Sequence, residues 1–170
     1  HITYDQLYLG KKSKLGEGAS ATVHRVIHKL DDKVYALKIV PLSETDIQPK
    51  QIISEIRSLY ESMECPYIVR FYEAFHREGS IRILLEYMDC GSLEDVYKTV
   101  GVLPEEVLSI ITFQILHGLH YLEQKKILHR DIKPSNILMN RDGSAKISDF
   151  GMSKQLTTSL QAFKTFIGTY

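Results

Sequence analysis

The chain has 170 residues, 44% hydrophobic and 25% charged, the proportions of an ordinary globular domain. Its 21 Lys and Arg balance 21 Asp and Glu, for a formal net charge of zero. That balance argues against a partner held by bulk electrostatics, such as nucleic acid or an anionic membrane surface.

In chain order, residues 8–15, 21–28 and 33–40 are rich in Val, Ile and Tyr and read as three antiparallel strands. Gly16-Glu17-Gly18 breaks the first pair and Asp31-Asp32 the second, and Pro41 closes the third strand. A helix is expected over about 49–63, with Pro49 in its first turn and Ile52, Ile56, Leu59 and Tyr60 at helical spacing. Strands near 68–75 and 81–87, turning at Gly79-Ser80, complete a five-stranded antiparallel sheet. Residues 1–88 thus form one α+β unit of order β-β-β-α-β-β. From Asp89-Cys90-Gly91 onward, over 89–170, the character turns helical. Pro104-Glu105-Glu106 opens a long amphipathic helix with acids where the dipole favours them. Its stripe is Val107, Ile110, Ile111, Ile115, Leu119 and Leu122, interrupted by Gln114, and Lys125 and Lys126 end it. Short strands over 137–139 and 145–147 flank the turn Asn140-Arg141-Asp142-Gly143.

Cys65 and Cys90 have no Cys-x-x-Cys or His partner at ligand spacing, which points to free thiols in a reducing, cytoplasmic compartment. The longest uncharged run, 107–122, is shorter than the roughly 20 residues of a membrane span. The chain opens at His1 with no signal-peptide pattern and reads as a fragment.

Four features carry chemistry. Gly16 and Gly18, in Leu15-Gly16-Glu17-Gly18-Ala19-Ser20-Ala21-Thr22-Val23, would let a hairpin close over phosphates, and a tight turn without ligand is the bland alternative. A strand follows this loop, which argues against a dinucleotide-binding βαβ unit. Lys38 lies within an apolar strand, with Glu55 as candidate partner; either charge could instead face solvent. His129-Arg130-Asp131-Ile132-Lys133-Pro134-Ser135-Asn136 packs polar groups between a long helix and a strand, more densely than a connector needs. Thirteen residues on comes Asp149-Phe150-Gly151; two acids and an amide suit a hard cation with oxygen ligands.

In this order the blocks resemble the protein kinase signature set: Gly16-x-Gly18-x-x-Ala21-x-Val23, Ala36-Leu37-Lys38, Glu55, His129-Arg130-Asp131-x-Lys133-x-x-Asn136 and Asp149-Phe150-Gly151. Ala21 stands where the full pattern has a third glycine. The runs Cys65–Phe75, Met88–Leu93 and Phe166–Thr169, with Asp131-Ile132-Lys133-Pro134-Ser135-Asn136, are similar to MAP kinase kinases. The resemblance implies a protein-kinase-like fold: an N-lobe over 1–88 and the start of a C-lobe over 89–170.

It also implies roles. Lys38, paired with Glu55, would hold ATP phosphates, while Asn136 and Asp149 would ligate Mg²⁺. Asp131 would accept the substrate hydroxyl proton and Lys133 would support the γ-phosphate. ATP would further meet Leu15, Gly16, Glu17, Gly18, Ala19, Ser20, Ala21 and Ser135. Val23, Ala36 and Leu138 would sandwich adenine, with Leu85 limiting depth and Glu86 to Met88 as the hinge. Lys133 resembles the lysine of Ser/Thr-directed kinases, and the subfamily implies both Thr and Tyr as targets. A downstream MAP kinase and an upstream activating kinase are the implied partners.

Ser159 and Thr165 are the expected phosphorylation sites, with Arg130 as receiver. His117 and His120 lack a third ligand and read as surface or packing residues. The Ala-Pro-Glu block and later helices lie outside this sequence, so the stripe from Val107 to Leu122 is expected to be exposed. A truncated nucleotide-binding scaffold or decoy is the alternative function. A pseudokinase module is disfavoured by intact Lys38, Asp131, Asn136 and Asp149.

Overall fold

Alternating side chains over the first third give a sheet with one apolar face and one face free for other work. The computed structural model describes residues 2–18, 21–42, 53, 56–57 and 64–149. Strands β1 (Leu7–Glu17), β2 (Thr22–His28), β3 (Val34–Pro41), β4 (Phe71–Arg77) and β5 (Ser80–Glu86) form one antiparallel sheet of order β1-β2-β3-β5-β4. Val26, Tyr35, Leu37 and Leu84 are buried on one face, backed by Ile2, Tyr4, Leu7, Ile39 and Phe75. Glu78 and Gly79, with φ of 49° and 64°, make the β4–β5 turn, so Ser80 already belongs to a strand instead of turning. Of the helix expected over 49–63, Ile53, Ile56 and Arg57 are described, and they are helical.

Two corrections concern boundaries. β1 runs through Leu15, Gly16 and Glu17, which pair up to Thr22, so the expected break begins only at Gly18. Ile68 was expected in β4's strand but bridges Ile147 in parallel, and Val69 N–H donates to Ile147 O at 3.0 Å. Residues 64–69 accordingly belong to the second of two compact units, with Met88 onward, while Arg70–Tyr87 belongs to the first.

In that second unit α1 (Leu93–Val100) begins at a capping box unread in the sequence, Ser92 accepting from Asp95 N–H and Asp95 from Ser92 N–H. Helix α2 (Glu105–Gln124) packs on the hairpin of β6 (Ile137–Met139) and β7 (Ala145–Ile147). Its inward line is Ile111, Ile115, Gly118, Leu119 and Leu122. The expected stripe is thus partly buried: Ile110, about 100° round the helix from Ile111, is 59% exposed and Val107, one turn earlier, is 39% exposed. Gln114, the polar interruption, clasps the hairpin by donating to Gly143 O (3.1 Å) and accepting from Ala145 N–H (2.9 Å). Among the described residues no helix is long and apolar enough to cross a membrane.

Candidate functional site

The first unit places its candidates by register. Cross-strand partners point to the same side, so Val23, Lys38 and Ile83 line up, as do Ala36 and Leu85 two residues along. Val23, Ala36, Lys38 and Leu85 therefore share the face opposite the Leu37 core. Lys38 is 7% exposed, which removes the reading of a solvated charge and demands anionic company. Glu55, Ala19 and Ser20 lie outside the described residues. Glu86 is tied at both ends, its N–H donating to Arg70 O (2.8 Å) and its Oε2 accepting from Arg70 N–H (3.1 Å). Met88 is buried, while Leu15 is 48% exposed.

At the turn, Gly18 N–H donates to Ala21 O (2.8 Å). A Cβ added to Gly16 would meet nothing within 4 Å, and one at Gly18 only Ala21 O at 3.8 Å. Neither glycine has a left-handed φ, so neither packing nor backbone conformation requires them. What glycine uniquely provides here is close approach to the main chain.

The second unit places its candidates by a ring of hydrogen bonds. Asp131 N–H donates to His129 Nδ1 (3.2 Å), and His129 Nε2 donates to Ser148 O (2.8 Å). Those partners fix the ring as the Nε2–H tautomer. Ser148 N–H and Oγ both donate to Asn136 O, at 2.8 and 3.0 Å. Asn136 Nδ2 then donates to Asp131 O (2.8 Å) and Asp131 Oδ2 (3.1 Å), closing the circuit. Lys133 Nζ lies 3.1 Å from the same Oδ2. His129, Asn136 and Ser148 are buried, while Asp131 and Lys133 are half-exposed. The ring therefore holds an accessible carboxylate from beneath.

Two residues flanking this ring, Arg130 (φ 68°) and Asp149 (φ 58°), adopt the left-handed conformation that non-glycine residues avoid. Such strain persists only where surrounding bonds over-determine it, and it gathers at functional sites. Ser135 and Leu138 are half-buried nearby in sequence, Leu138 bridging Ser92. His129 and Ser148 are the ring members whose positioning part the motif alone does not show.

The donor set fits a hard cation. Both neighbours of Asn136 Nδ2 are acceptors, which orients the amide and leaves Oδ1 as its available oxygen. Asp149 follows Ser148 directly and supplies a second oxygen donor. Cys90 is a free thiol whose pKa is raised by burial and by Asp89, so it is no activated nucleophile. His117 stacks near Phe113 (4.2 Å) and Tyr67 (5.6 Å), a packing role, and His120 pairs with Glu123 at the surface.

A glycine hairpin, a buried strand lysine and a strained Asp after a polar ring now stand in one chain, and the protein kinase domain family model matches residues 9–170. The chain belongs to the protein kinase family. Its kinase sheet and helices are the five-stranded N-lobe and the start of the C-lobe. It is 46% identical over 170 residues to a Dictyostelium discoideum dual specificity mitogen-activated protein kinase kinase 1, covering 99% of this chain and 26% of that protein. It is 43% identical to mitogen-activated protein kinase kinase 1 of Arabidopsis thaliana (92% of this chain, 44% of that protein). It is 46% identical to kinase kinase 1c of Physcomitrium patens (91% and 45%). The kinase chain thus spans less than half the length of these relatives.

Proposed function

We propose that this chain is the nucleotide-handling part of a MAP kinase kinase that transfers the γ-phosphoryl group of ATP to Thr and Tyr hydroxyls of a MAP kinase. The observation that carries the reading is the closed ring presenting Asp131 Oδ2 between Asn136 Nδ2 and Lys133 Nζ. Asp131 takes the hydroxyl proton as attack proceeds, and the Asn136 bond keeps its carboxylate aimed. Lys133 steadies the transferring phosphoryl group and Lys38 orients the phosphates behind it, with Glu55 as the partner of Lys38. Mg²⁺, held by Asn136 Oδ1 and Asp149, would supply charge neutralisation on the phosphate oxygens. Gly16 and Gly18 admit the phosphates to the main chain, while Val23, Ala36, Leu85 and Leu138 offer adenine an apolar surface.

Arg130 makes no ion pair among the described residues and is exposed, which suits it to receive a phosphate. Ser159 and Thr165 lie outside the described residues; an upstream kinase would phosphorylate them. In this reading the protein works in the cytoplasm.

The test is phosphotransfer by the full-length protein to a kinase-dead MAP kinase, compared with Lys38→Met and Asp131→Asn. Each variant should lose at least about 100-fold in kcat, with nucleotide affinity less affected. Nucleotide binding without turnover by the wild-type protein would leave the scaffold or decoy reading in its place.

A further inference from the structure

We propose that the ion pair between Arg57 and Glu73 sets the pose of the helical segment that carries Glu55, making both of them positioning residues for phosphotransfer. This rests on the kinase reading above. Glu73 sits within β4 at 7% exposure, opposite Leu84 on the face that carries the apolar core. Its Oε1 collects three donors: Arg57 Nε (3.0 Å), Arg57 Nη2 (2.6 Å) and Ala74 N–H (3.0 Å). A strand has no need of a buried carboxylate, and taking one out of water is costly unless it is paired. The β4 ladder slips beside it, between Phe71 and Glu73, which re-aims the strand's side chains.

Arg57 answers from a helix. Two edges of its planar fork engage one oxygen, a contact a flexible ammonium reproduces less sharply. Ile56 beside it is 5% exposed, so one residue is packed and the next is tethered. A helix turns about 100° per residue, so positions 55 and 57 of one helix project about 200° apart with Ile56 as pivot. A roll that displaced residue 55 would drag the guanidinium off Glu73. The pair therefore acts on Lys38 and the phosphates through Glu55, without touching substrate.

The experiment uses the full-length protein and reads kcat, KM for ATP, thermal midpoint and amide exchange over 49–63. Arg57→Met should lower kcat about tenfold, leave KM within about twofold and speed exchange of that segment. Arg57→Met/Glu73→Gln should recover the thermal midpoint, because a neutral amide still accepts from Ala74 N–H and needs no cation. Its kcat should stay low and its exchange fast, since the tether remains absent. Arg57→Lys should retain most of the turnover. Recovery of kcat together with the midpoint would reduce the pair to a structural role and overturn the proposal, as would wild-type kcat in Arg57→Met. Absence of turnover in the wild type would fail the kinase reading; unchanged exchange over 49–63 would by itself fail the pair.

Discussion

The two units put their candidate residues in place by different physical means. In the first, Val23, Ala36, Lys38 and Leu85 share a face because antiparallel register puts them there. The backbone ladder does the holding, and Gly16 and Gly18 have room to spare. In the second, Asp131, Asn136 and Asp149 sit in irregular backbone next to a hairpin of two three-residue strands. There the side chains themselves do the holding, and two residues are strained in return. Function is separable from stability in the sheet, whereas in the ring the same hydrogen bonds carry both. A substitution in the sheet should therefore move one property, and one in the ring should move two.

The largest break of that pattern to attempt is His129→Phe. It keeps the ring's shape but strips the acceptor from Asp131 N–H and the donor from Ser148 O, both met now at 5% exposure. Each orphaned buried group costs about 1–3 kcal/mol. The thermal midpoint and kcat should fall together. Full turnover from a destabilised variant would mean that the ring supports the fold and not the chemistry.

Gly118→Ala comes next. Its Cβ would lie 2.8 Å from Ile147 Cδ1 and 3.1 Å from Tyr67 O. The isoleucine tip can swing aside, but the carbonyl is fixed, since Tyr67 O accepts from Ile147 N–H at 2.8 Å. Overpacking of this kind costs about 1–3 kcal/mol, set against a helix-propensity gain of about 1 kcal/mol. Net destabilisation is expected in a melt, with a smaller loss of turnover because β7 leads directly into Ser148.

Gly16→Ala sharpens the contrast from the other side. Nothing lies within 4 Å of the new methyl, so stability should stay within about 0.5 kcal/mol. KM for ATP should rise severalfold as the methyl blocks phosphate approach. Steady-state kinetics beside a melt would decide it: an unchanged KM would remove the phosphate-cradle role.

How legible each part was in the sequence follows from the same division. Strand alternation and apolar content announced the sheet, because period two is a local signal. The kinase blocks named Asp131, Asn136 and Asp149 in order. The placement of Ile68 and Val69 with β7 was not legible, because a short Ile-Val run does not specify its partner strand. Ser148 was silent too, since its bonds to His129 and Asn136 span 19 and 12 positions. Gln114 looked like a flaw in an apolar stripe, and only the hairpin opposite turns its amide into a clasp. The phase of α2 was misjudged at Ile110 because an apolar residue beside a stripe looks the same as one within it. The α1 start was readable in principle: Ser92 and Asp95 carry the capping-box spacing.

That cap gives the smallest effect and a purely local one, remote from both sheet register and ring. Ser92 donates to Asp95 Oδ2 from its hydroxyl (2.6 Å) and its N–H (2.9 Å), and these bonds hold the Asp95 carboxyl below its ordinary value of 3.8. A carboxylate whose folded-state pKa is depressed contributes stability that is fully present above the unfolded value. That contribution fades as pH falls through the folded value, so the window lies below about pH 4. The side chain is exposed, so solvent keeps the contribution small. Asp95→Asn should thus lower the thermal midpoint slightly at pH 7, and the gap to wild type should close by about pH 3. The neutral amide still accepts from Ser92, so what the comparison isolates is the charge at the helix N-terminus. A gap independent of pH would assign the effect to hydrogen-bond geometry instead. Because α1 lies apart from the ring, kcat at pH 7 should be unchanged in this variant, the one case in the second unit where stability moves alone.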